Sequence, residues 1–213
     1  YMGGNTLRVE QGARVTANGS GIGNVKAKNS CGVKGAVYVD GGAELVADGG
    51  SAGSAGISCG IFGDVTVKNG TVTANGGSGL QSFSAGINMM DAGEANLFVN
   101  GTGRVTAIGN PERLDGGTVI SYGVNHADMG ELTIELSGVA SFKAAGGTAA
   151  SRAAFTPDTV SIKGSEAYRD FDNVTDGYKF LNSTYVRNDV PAQSLEVTVC
   201  DHRAGVTNGK CSN

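Results

Sequence analysis

The sequence of 213 residues contains no tryptophan, only 3 prolines and 6% aromatic residues. The scarcity of proline excludes a collagen-like chain and a proline-rich linker. The net charge of −4 provides no basic surface for nucleic acid or for an anionic membrane. No stretch of about 18 apolar residues occurs, so we expect no membrane-spanning helix. The sequence therefore predicts no nucleic-acid partner and no membrane insertion.

Glycine is the residue that the chain has in excess. It accounts for 36 of the 213 residues, more than twice the usual share of about 7%. So many glycines indicate numerous turns and close approaches between backbone segments. Asn, Thr, Ala, Ser and Val supply most of the remaining sequence, and the β-branched side chains of Val and Thr suit strands. The composition therefore favours an all-β fold with many tight turns.

A repeated pattern runs through most of the chain. It reads apolar-x-apolar, a glycine-containing turn and then apolar-x-Ala, as in "VTVKNGTVTA" from Val65. The alternation within each copy has period 2 and predicts strands. Its recurrence about every 30 residues predicts stacked repeats. The second apolar residue of each pair marks the period at Val9, Val39, Val67, Val99, Ile134 and Ile162.

A third short strand is predicted in each repeat by the phrases "SAGIS" at Ser54, "SAGIN" at Ser84 and "SYGVN" at Ser121. One such repeat cannot bury its own apolar face, whereas stacked copies bury a continuous core. Parallel crossovers are almost always right-handed. The sequence therefore predicts an all-β, right-handed parallel β-helix of about six coils over residues 1–163. Residues 164–213 are predicted to form a C-terminal capping region of the same domain.

A phrase that begins "SCG" occurs twice, with Cys31 and Cys59 at the same place in each copy. Stacked repeats would place Cys31 directly below Cys59. We expect the column to continue with Met89 and then His126. Side chains of similar size in such a column would fill the interior.

Two disulfides are predicted. Cys200 and Cys211 flank the turn segment "DHRAGVTNGK" and would close a small hairpin. Stacked Cys31 and Cys59 would lie about 4.8 Å apart at Cα, which is within the range of a disulfide. This second bond ranks below the first, because in-register parallel stacking does not favour the approach of the two Cβ atoms.

Two segments that align without gaps, "GINMMDAGE" from Gly86 and "GVNHADMGE" from Gly123, carry acidic residues at matching positions. Asp64, in "GIFGD", falls in the same column as the glutamates. Stacked carboxylates repel each other unless solvent or a cation separates them, and Ca²⁺ accepts oxygen ligands in flexible geometry. An alternative is a ladder of asparagines with solvated acids in repeated turns. The candidate calcium ligands are Asp64, Asp91, Glu94, Asp128 and Glu131.

The candidate contacts for a bound ligand are Asn88, Asn125 and Tyr122, which lie in or beside the same segments. No catalytic residue is predicted, because the acids recur with the repeat as in a scaffold column. A glycosidase needs two carboxylates across a cleft. For a lyase or hydrolase, Arg104 and Lys143 are isolated candidates on the repeat strands.

The phrases "VTVKNGTVTANGG" and "SAGI" resemble repeats of large secreted and wall-attached proteins of Gram-positive gut bacteria. The resemblance is close from Leu7 to about Ala107 and looser to about Ile162. The chain is also similar to the carbohydrate-binding, pectate-lyase-like β-helix proteins, which bind calcium and polysaccharide. Their acidic "GDGI" corner reads "SAGI" or "SYGV" in this chain.

These resemblances imply an extracellular or cell-surface bacterial module that is part of a larger surface protein. They imply a polysaccharide, such as a host or cell-wall glycan, as partner and Ca²⁺ as cofactor. The function that follows is non-enzymatic binding or adhesion. The alternatives are a polysaccharide lyase or hydrolase on the same fold, or a structural stalk.

Overall fold

Strands are the only regular elements in the described part of the chain, and they are numbered here in chain order. Within that part, no helix is long and apolar enough to cross a membrane. The computed structural model describes residues 5–20, 29–52, 56–79, 83–90, 95–110, 120–127, 132–146, 152–155, 160–164, 171–172, 179–181, 184–186, 194–199, 206–207 and 210–211.

Each repeat contributes one strand to each of three sheets, which we name A, B and C. The first strand of each repeat lies in sheet A. In spatial order, sheet A contains β1 (Thr6–Val9), β4 (Ala36–Val39), β7 (Val65–Lys68), β10 (Ala95–Asn100), β13 (Leu132–Leu136), β16 (Val160–Gly164), β19 (Thr184–Val186) and β18 (Lys179–Leu181).

The second and third strands of the repeats lie in sheets B and C. Two further strands, β21 (Val206–Thr207) and β22 (Lys210–Cys211), form a separate antiparallel pair. In spatial order, sheet B contains β17 (Phe171–Asp172), β20 (Ser194–Val199), β14 (Ser141–Ala145), β11 (Arg104–Ile108), β8 (Thr71–Asn75), β5 (Glu44–Asp48) and β2 (Arg14–Asn18). Sheet C contains β15 (Arg152–Phe155), β12 (Ser121–Asn125), β9 (Ser84–Asn88), β6 (Ser58–Phe62) and β3 (Ser30–Lys34).

The strands of successive repeats pair in parallel in all three sheets. This stack of parallel sheets confirms the all-β prediction and is consistent with a β-solenoid. The direction changes after the repeats, where β19 pairs antiparallel with β16 and β20 pairs antiparallel with β14. Alternate residues of the parallel strands point inward and form one continuous apolar core.

The predicted register is wrong at the fifth repeat. Val67 pairs with Val99 as expected, but Val99 pairs with Leu136, and Ile134 pairs with Leu97. The sequence alignment that matched Val99 with Ile134 is therefore shifted by two residues. Because the side-chain period of a strand is 2, this displacement keeps the same residues inside and leaves the hydrophobic pattern unchanged.

The predicted third strand is misplaced in one repeat. The phrase "SAGIS" at Ser54 lies partly outside the described residues, and the strand of that repeat in sheet C is β6, which begins at Ser58. Ser58 pairs with Ser84 of the "SAGIN" strand, so the duplicated "SCG" phrase belongs to the same column as "SAGIN". The predicted column of Cys31, Cys59, Met89 and His126 is wrong beyond Cys59. Cys59 pairs with Ala85, and not with Met89 or His126.

The glycine that ends the "SxG" phrase in β3, β6 and β9 lets sheet C approach sheet B closely. A Cβ atom on Gly60 would lie 2.5 Å from the carbonyl oxygen of Ala47 and 2.7 Å from the backbone nitrogen of Asn75. Gly32 and Gly86, in the same column, meet the equivalent backbone of the neighbouring sheet B strands. No larger residue fits at these positions, since backbone atoms cannot move aside as a flexible side chain can.

The serines that begin three of the sheet C strands, β3, β6 and β9, bond through their hydroxyl groups to backbone groups that lie just after sheet B strands. Ser58 Oγ donates to the carbonyl of Gly50 at 2.6 Å and accepts from Gly77 N–H at 2.9 Å. Ser84 Oγ accepts from Asn110 N–H at 2.9 Å. These buried serines therefore satisfy turn backbone groups that would otherwise lack a partner.

A disulfide joins Cys31 of β3 to Cys59 of β6, across a sequence separation of 28 residues. The in-register pairing places the two Cα atoms 4.6 Å apart, within the usual range for a disulfide. The bond therefore links the first repeat covalently to the second. Cys200 lies outside the described residues, so the Cys200–Cys211 bond stays a prediction.

Replacing Gly60 by alanine is expected to lower the free energy of unfolding by about 3 kcal/mol, the upper end of the usual cost of overpacking. Gly12→Ala is the matched control, because Gly12 has a φ of +71° and no atom within 4 Å of a Cβ. That change should cost only about 1 kcal/mol, for the left-handed backbone. Urea unfolding of both variants measures the difference, and equal losses would contradict the close contact between the sheets.

Replacing both Cys31 and Cys59 by alanine is expected to lower the free energy of unfolding by about 3 to 4 kcal/mol. The closed loop restricts the unfolded chain, and that restriction is lost. Alanine fits this column, since Ala85 occupies it in the next repeat. Denaturant unfolding should show the same loss for the native protein in reductant. A loss under about 1 kcal/mol in both experiments would show that the bond does not hold the repeats together.

Candidate functional site

The two candidate asparagines lie in the interior of the stacked sheets rather than on the surface. Asn88 and Asn125 are paired in sheet C, and both are fully buried. Asn125 Nδ2 donates to Asn88 Oδ1 at 2.5 Å. They form one step of a buried ladder that joins β9 to β12, so a ligand on the outer surface cannot contact them.

Tyr122 belongs to a second, smaller apolar cluster that includes Cys59, Phe62 and Ala85. Its ring meets the ring of Phe83 edge to face, with 6.1 Å between centroids. The side chain is partly exposed. Tyr122 therefore contributes to the packing of this cluster on sheet C.

Asp64 is exposed and precedes β7, where its carbonyl accepts a hydrogen bond from Val37 N–H at 2.8 Å. Leu97 pairs with Val65, so the sheet A position that follows Asp64 in the register is Asn96, not one of the glutamates. The part of the chain that the structure describes contains no group of three or more potential metal ligands. The other four candidate acids, which lie outside the described residues, are Asp91, Glu94, Asp128 and Glu131.

The candidate basic residues lie on the outward face of sheet B. Lys143 Nζ pairs with Glu196 Oε2 at 3.3 Å, so its charge is engaged by the antiparallel strand β20. Arg104 is exposed and pairs in the register with Ser141 rather than with Lys143. The two basic side chains are therefore offset along neighbouring strands, and neither faces a carboxylate pair.

An outward row on sheet A was not singled out from the sequence. Its members occupy the polar position between the two apolar residues of each repeat. Tyr38 pairs with Thr66, and Thr66 pairs with Phe98. Tyr38 and Phe98 are partly exposed and lie two strands apart, or roughly 10 Å. From the first repeat to the fifth, the row is Arg8, Tyr38, Thr66, Phe98 and Glu135.

Two cations lie close to the aromatic ring of Tyr38. The Arg8 guanidinium lies over the ring at 4.3 Å from its centroid, and Lys68 Nζ lies at 5.8 Å. Arg8 also forms an exposed ion pair with Glu10 at 3.5 Å. These contacts orient the Tyr38 ring on the outer face of the sheet.

The turns at the end of sheet A are linked across repeats by side-chain amides. Asn69, which has a φ of +47°, donates through Nδ2 to Asp40 Oδ1 at 3.4 Å. Its Oδ1 accepts from Thr102 N–H at 3.1 Å. One side chain therefore connects the turns of the second and fourth repeats at the edge of the outward row.

The carboxylate of Asp40 is the principal acceptor at this edge. Its Oδ1 accepts from Gly41 N–H at 2.6 Å, and its Oδ2 accepts from the Tyr38 hydroxyl at 3.1 Å. The Gly41 bond is the main cause that lowers the pKa of Asp40 below its ordinary 3.8, and the Tyr38 and Asn69 bonds act in the same direction. The hydrogen bond to Asp40 also raises the pKa of Tyr38 above its ordinary 10.0.

No family model, no curated protein and no solved structure matches this chain. The resemblance to pectate-lyase-like β-helix proteins therefore stays a prediction.

Titration of the Gly41 amide by NMR is expected to show a midpoint below pH 3.8, because this amide donates to the Asp40 carboxylate. A lowered pKa in the folded state stabilises the fold above the ordinary value, and the contribution is lost as the pH falls through the lowered pKa. Tyr38→Phe should move the midpoint upward, whereas Thr66→Ala should not. A native midpoint above 3.8 would contradict the bonded geometry.

Proposed function

We propose that this chain is a non-enzymatic binding module for an extended polysaccharide, which would lie along the outer face of sheet A. In this proposal the stacked sheets form a right-handed β-helix of about six coils. The module would be displayed outside a bacterial cell as part of a larger surface protein. The observation that supports the site is the outward row in which Tyr38 and Phe98 are aligned through Thr66.

The aromatic residues of this row suit the apolar faces of sugar rings. A pyranose presents C–H groups on its faces and hydroxyl groups at its edge, and aromatic side chains offer a matching flat surface. Two rings in one column are aligned with the stacking direction of the repeats. A polymer that runs along the solenoid could therefore contact both rings, whereas one that crosses it could contact only one.

Polar side chains beside the rings can bond to sugar hydroxyl groups. Thr66 lies between the two aromatic residues, and Glu135 follows Phe98. A hydroxyl group can both donate and accept, so a threonine and a carboxylate can each bind one. Because Arg8 and Asp40 already orient Tyr38, less conformational freedom is lost there on binding.

A dependence of polysaccharide binding on Ca²⁺ is tested separately, because the described residues contain no group of three potential metal ligands. Asp64 is the only candidate acid within the described residues, and its register neighbour is an asparagine. A carboxylate ladder around a cation would have to be completed by Asp91, Glu94, Asp128 or Glu131. Binding measurements with Ca²⁺ and with EDTA decide whether the cation takes part.

Binding of the native chain to a panel of plant, host and microbial polysaccharides tests the proposal. For the polymer that binds, Tyr38→Ala and Phe98→Ala are each expected to weaken binding about three- to tenfold, the cost of one lost aromatic contact. Thr73→Ala is the matched control, since Thr73 occupies an outward position of sheet B. Isothermal titration calorimetry measures each affinity.

Three results would change the conclusion. Binding of none of the polymers, in Ca²⁺ or in EDTA, would contradict the proposal and favour a structural stalk, which the regular disulfide-linked stack also suits. Equal losses for Thr73→Ala and Phe98→Ala would place the ligand elsewhere on the solenoid. Shortening of the polymer on incubation would favour a lyase or hydrolase instead.

A further inference from the structure

The basic side chains beside the outward row of sheet A are engaged by groups of the protein itself. The Arg8 guanidinium lies over the Tyr38 ring and also pairs with Glu10 at 3.5 Å. Lys68 Nζ lies 5.8 Å from the centroid of the same ring, and its charge interacts with the Asp40 carboxylate. The positive charge at this edge is therefore already matched by carboxylates of the protein.

The first five strands of sheet A and the turns that follow them have no excess of positive charge. They contain two basic residues, Arg8 and Lys68, and three acidic residues, Glu10, Asp40 and Glu135. A polymer with a carboxylate or sulfate on each sugar would meet like charge along this face, and like charges brought together weaken binding. An uncharged polymer meets no such repulsion. The segments counted are residues 6–13, 36–43, 65–70, 95–103 and 132–140.

The two aromatic residues of the row are separated by two strand spacings. Tyr38 and Phe98 both pair with Thr66, so their backbones lie roughly 10 Å apart. In a chain of pyranoses joined through equatorial bonds at C1 and C4, each sugar advances by a length close to one strand spacing, about 4.8 Å. The first and third sugars of such a chain would therefore lie over Tyr38 and Phe98, and the second over Thr66.

The linkage of the polymer decides which sugar faces meet the rings. In an extended β-1,4-linked chain each sugar is turned over relative to the one before it, so the first and third sugars present the same face. In-register pairing keeps Tyr38, Thr66 and Phe98 in one line along the stacking direction. An α-1,4-linked chain coils and would leave this line after a few sugars. The geometry of the row therefore suits the β-1,4 linkage.

We infer that the outward row of sheet A binds a neutral, extended β-1,4-linked glycan, with alternate sugars stacked on Tyr38 and Phe98. This inference rests on the proposed polysaccharide function and names its ligand class. The aromatic rings contact the apolar faces of two sugars, and the Thr66 hydroxyl bonds to a hydroxyl group of the sugar between them. A uronic-acid or sulfated polymer is disfavoured, because acidic residues outnumber basic residues along the first five strands and their turns.

A set of hexasaccharides separates the effect of charge from that of linkage. The neutral β-1,4-linked probes are cellohexaose and mannohexaose, and each has a matched form in which every C6 hydroxyl is oxidised to a carboxylate. Maltohexaose is neutral but α-1,4-linked. In NMR titrations of the intact protein, at least one neutral β-1,4-linked probe should bind, with its oxidised form and maltohexaose about tenfold weaker or more. Its affinity should change less than about twofold between roughly 0.05 and 0.5 M NaCl, since salt screens only charge interactions.

Shorter sugars and two lysine variants test the spacing and the charge of the row. The trisaccharide of the bound series should bind about three- to tenfold more tightly than the disaccharide, because only three sugars reach both rings. Phe98→Ala should remove this gain. Thr66→Lys places a cation between the rings and should raise the affinity for the oxidised hexasaccharide about tenfold. Thr73→Lys is the matched control on sheet B and should leave that affinity unchanged.

Several outcomes would overturn the inference while leaving a polysaccharide site in place. One is binding of an oxidised hexasaccharide as tightly as its neutral form, with the loss in Phe98→Ala that marks the row. Another is equal binding of maltohexaose, and a third is no gain from the disaccharide to the trisaccharide. Binding of a polymer from the wider panel but of none of these hexasaccharides would also overturn it. Binding of neither would contradict the proposed function itself.

Discussion

Parallel backbone hydrogen bonding between successive repeats is the interaction on which the rest of this structure depends. Because the strands of each repeat pair with the equivalent strands of the next repeat, inward side chains form apolar columns and outward side chains form rows. The core column through Val39 and Val67 and the outer row through Tyr38 and Thr66 follow from the same pairing. A candidate binding surface on this protein is therefore a property of the stack, since no single repeat contains it.

The contact between sheets B and C is the second constraint, and it explains the glycine content. At Gly60 the backbone of sheet C lies so close to sheet B that a methyl group has no room. The serine two residues earlier bonds to the neighbouring turn through its hydroxyl. The phrase "SxG" thus combines a turn contact with a close backbone approach in β3, β6 and β9.

Register was the least predictable part of the fold. The alternation of "LFVN" and "LTIEL" is satisfied equally by pairing Val99 with Ile134 or with Leu136, because both place apolar residues inside. The cysteine column was misassigned for a related reason. "SCG" of β6 and "SAG" of β9 lie at equivalent positions of neighbouring sheet C strands. The two phrases differ at the residue that defines the column, so Ala85 was not recognised as the neighbour of Cys59.

The candidate site was likewise predicted only in part from the sequence. Asn88 and Asn125 were matched correctly as neighbours, since their segments align without gaps, but the sequence could not show that a polar pair would be buried. The outer row was readable as the residues between apolar positions. Its significance appears only once Phe98 is known to pair with Thr66, because Tyr38 and Phe98 lie 60 positions apart in the sequence.

The sequence by itself determined the all-β class, the repeat and which strand residues point inward, because period 2 and recurring turns follow from local backbone geometry. The tertiary structure decided the register, the burial of the asparagine pair, the Cys31–Cys59 bond and the shared outward row of Tyr38 and Phe98. These depend on how one repeat lies on the next. That alignment is fixed by hydrogen bonds and contacts between residues about 30 positions apart, which no local pattern specifies.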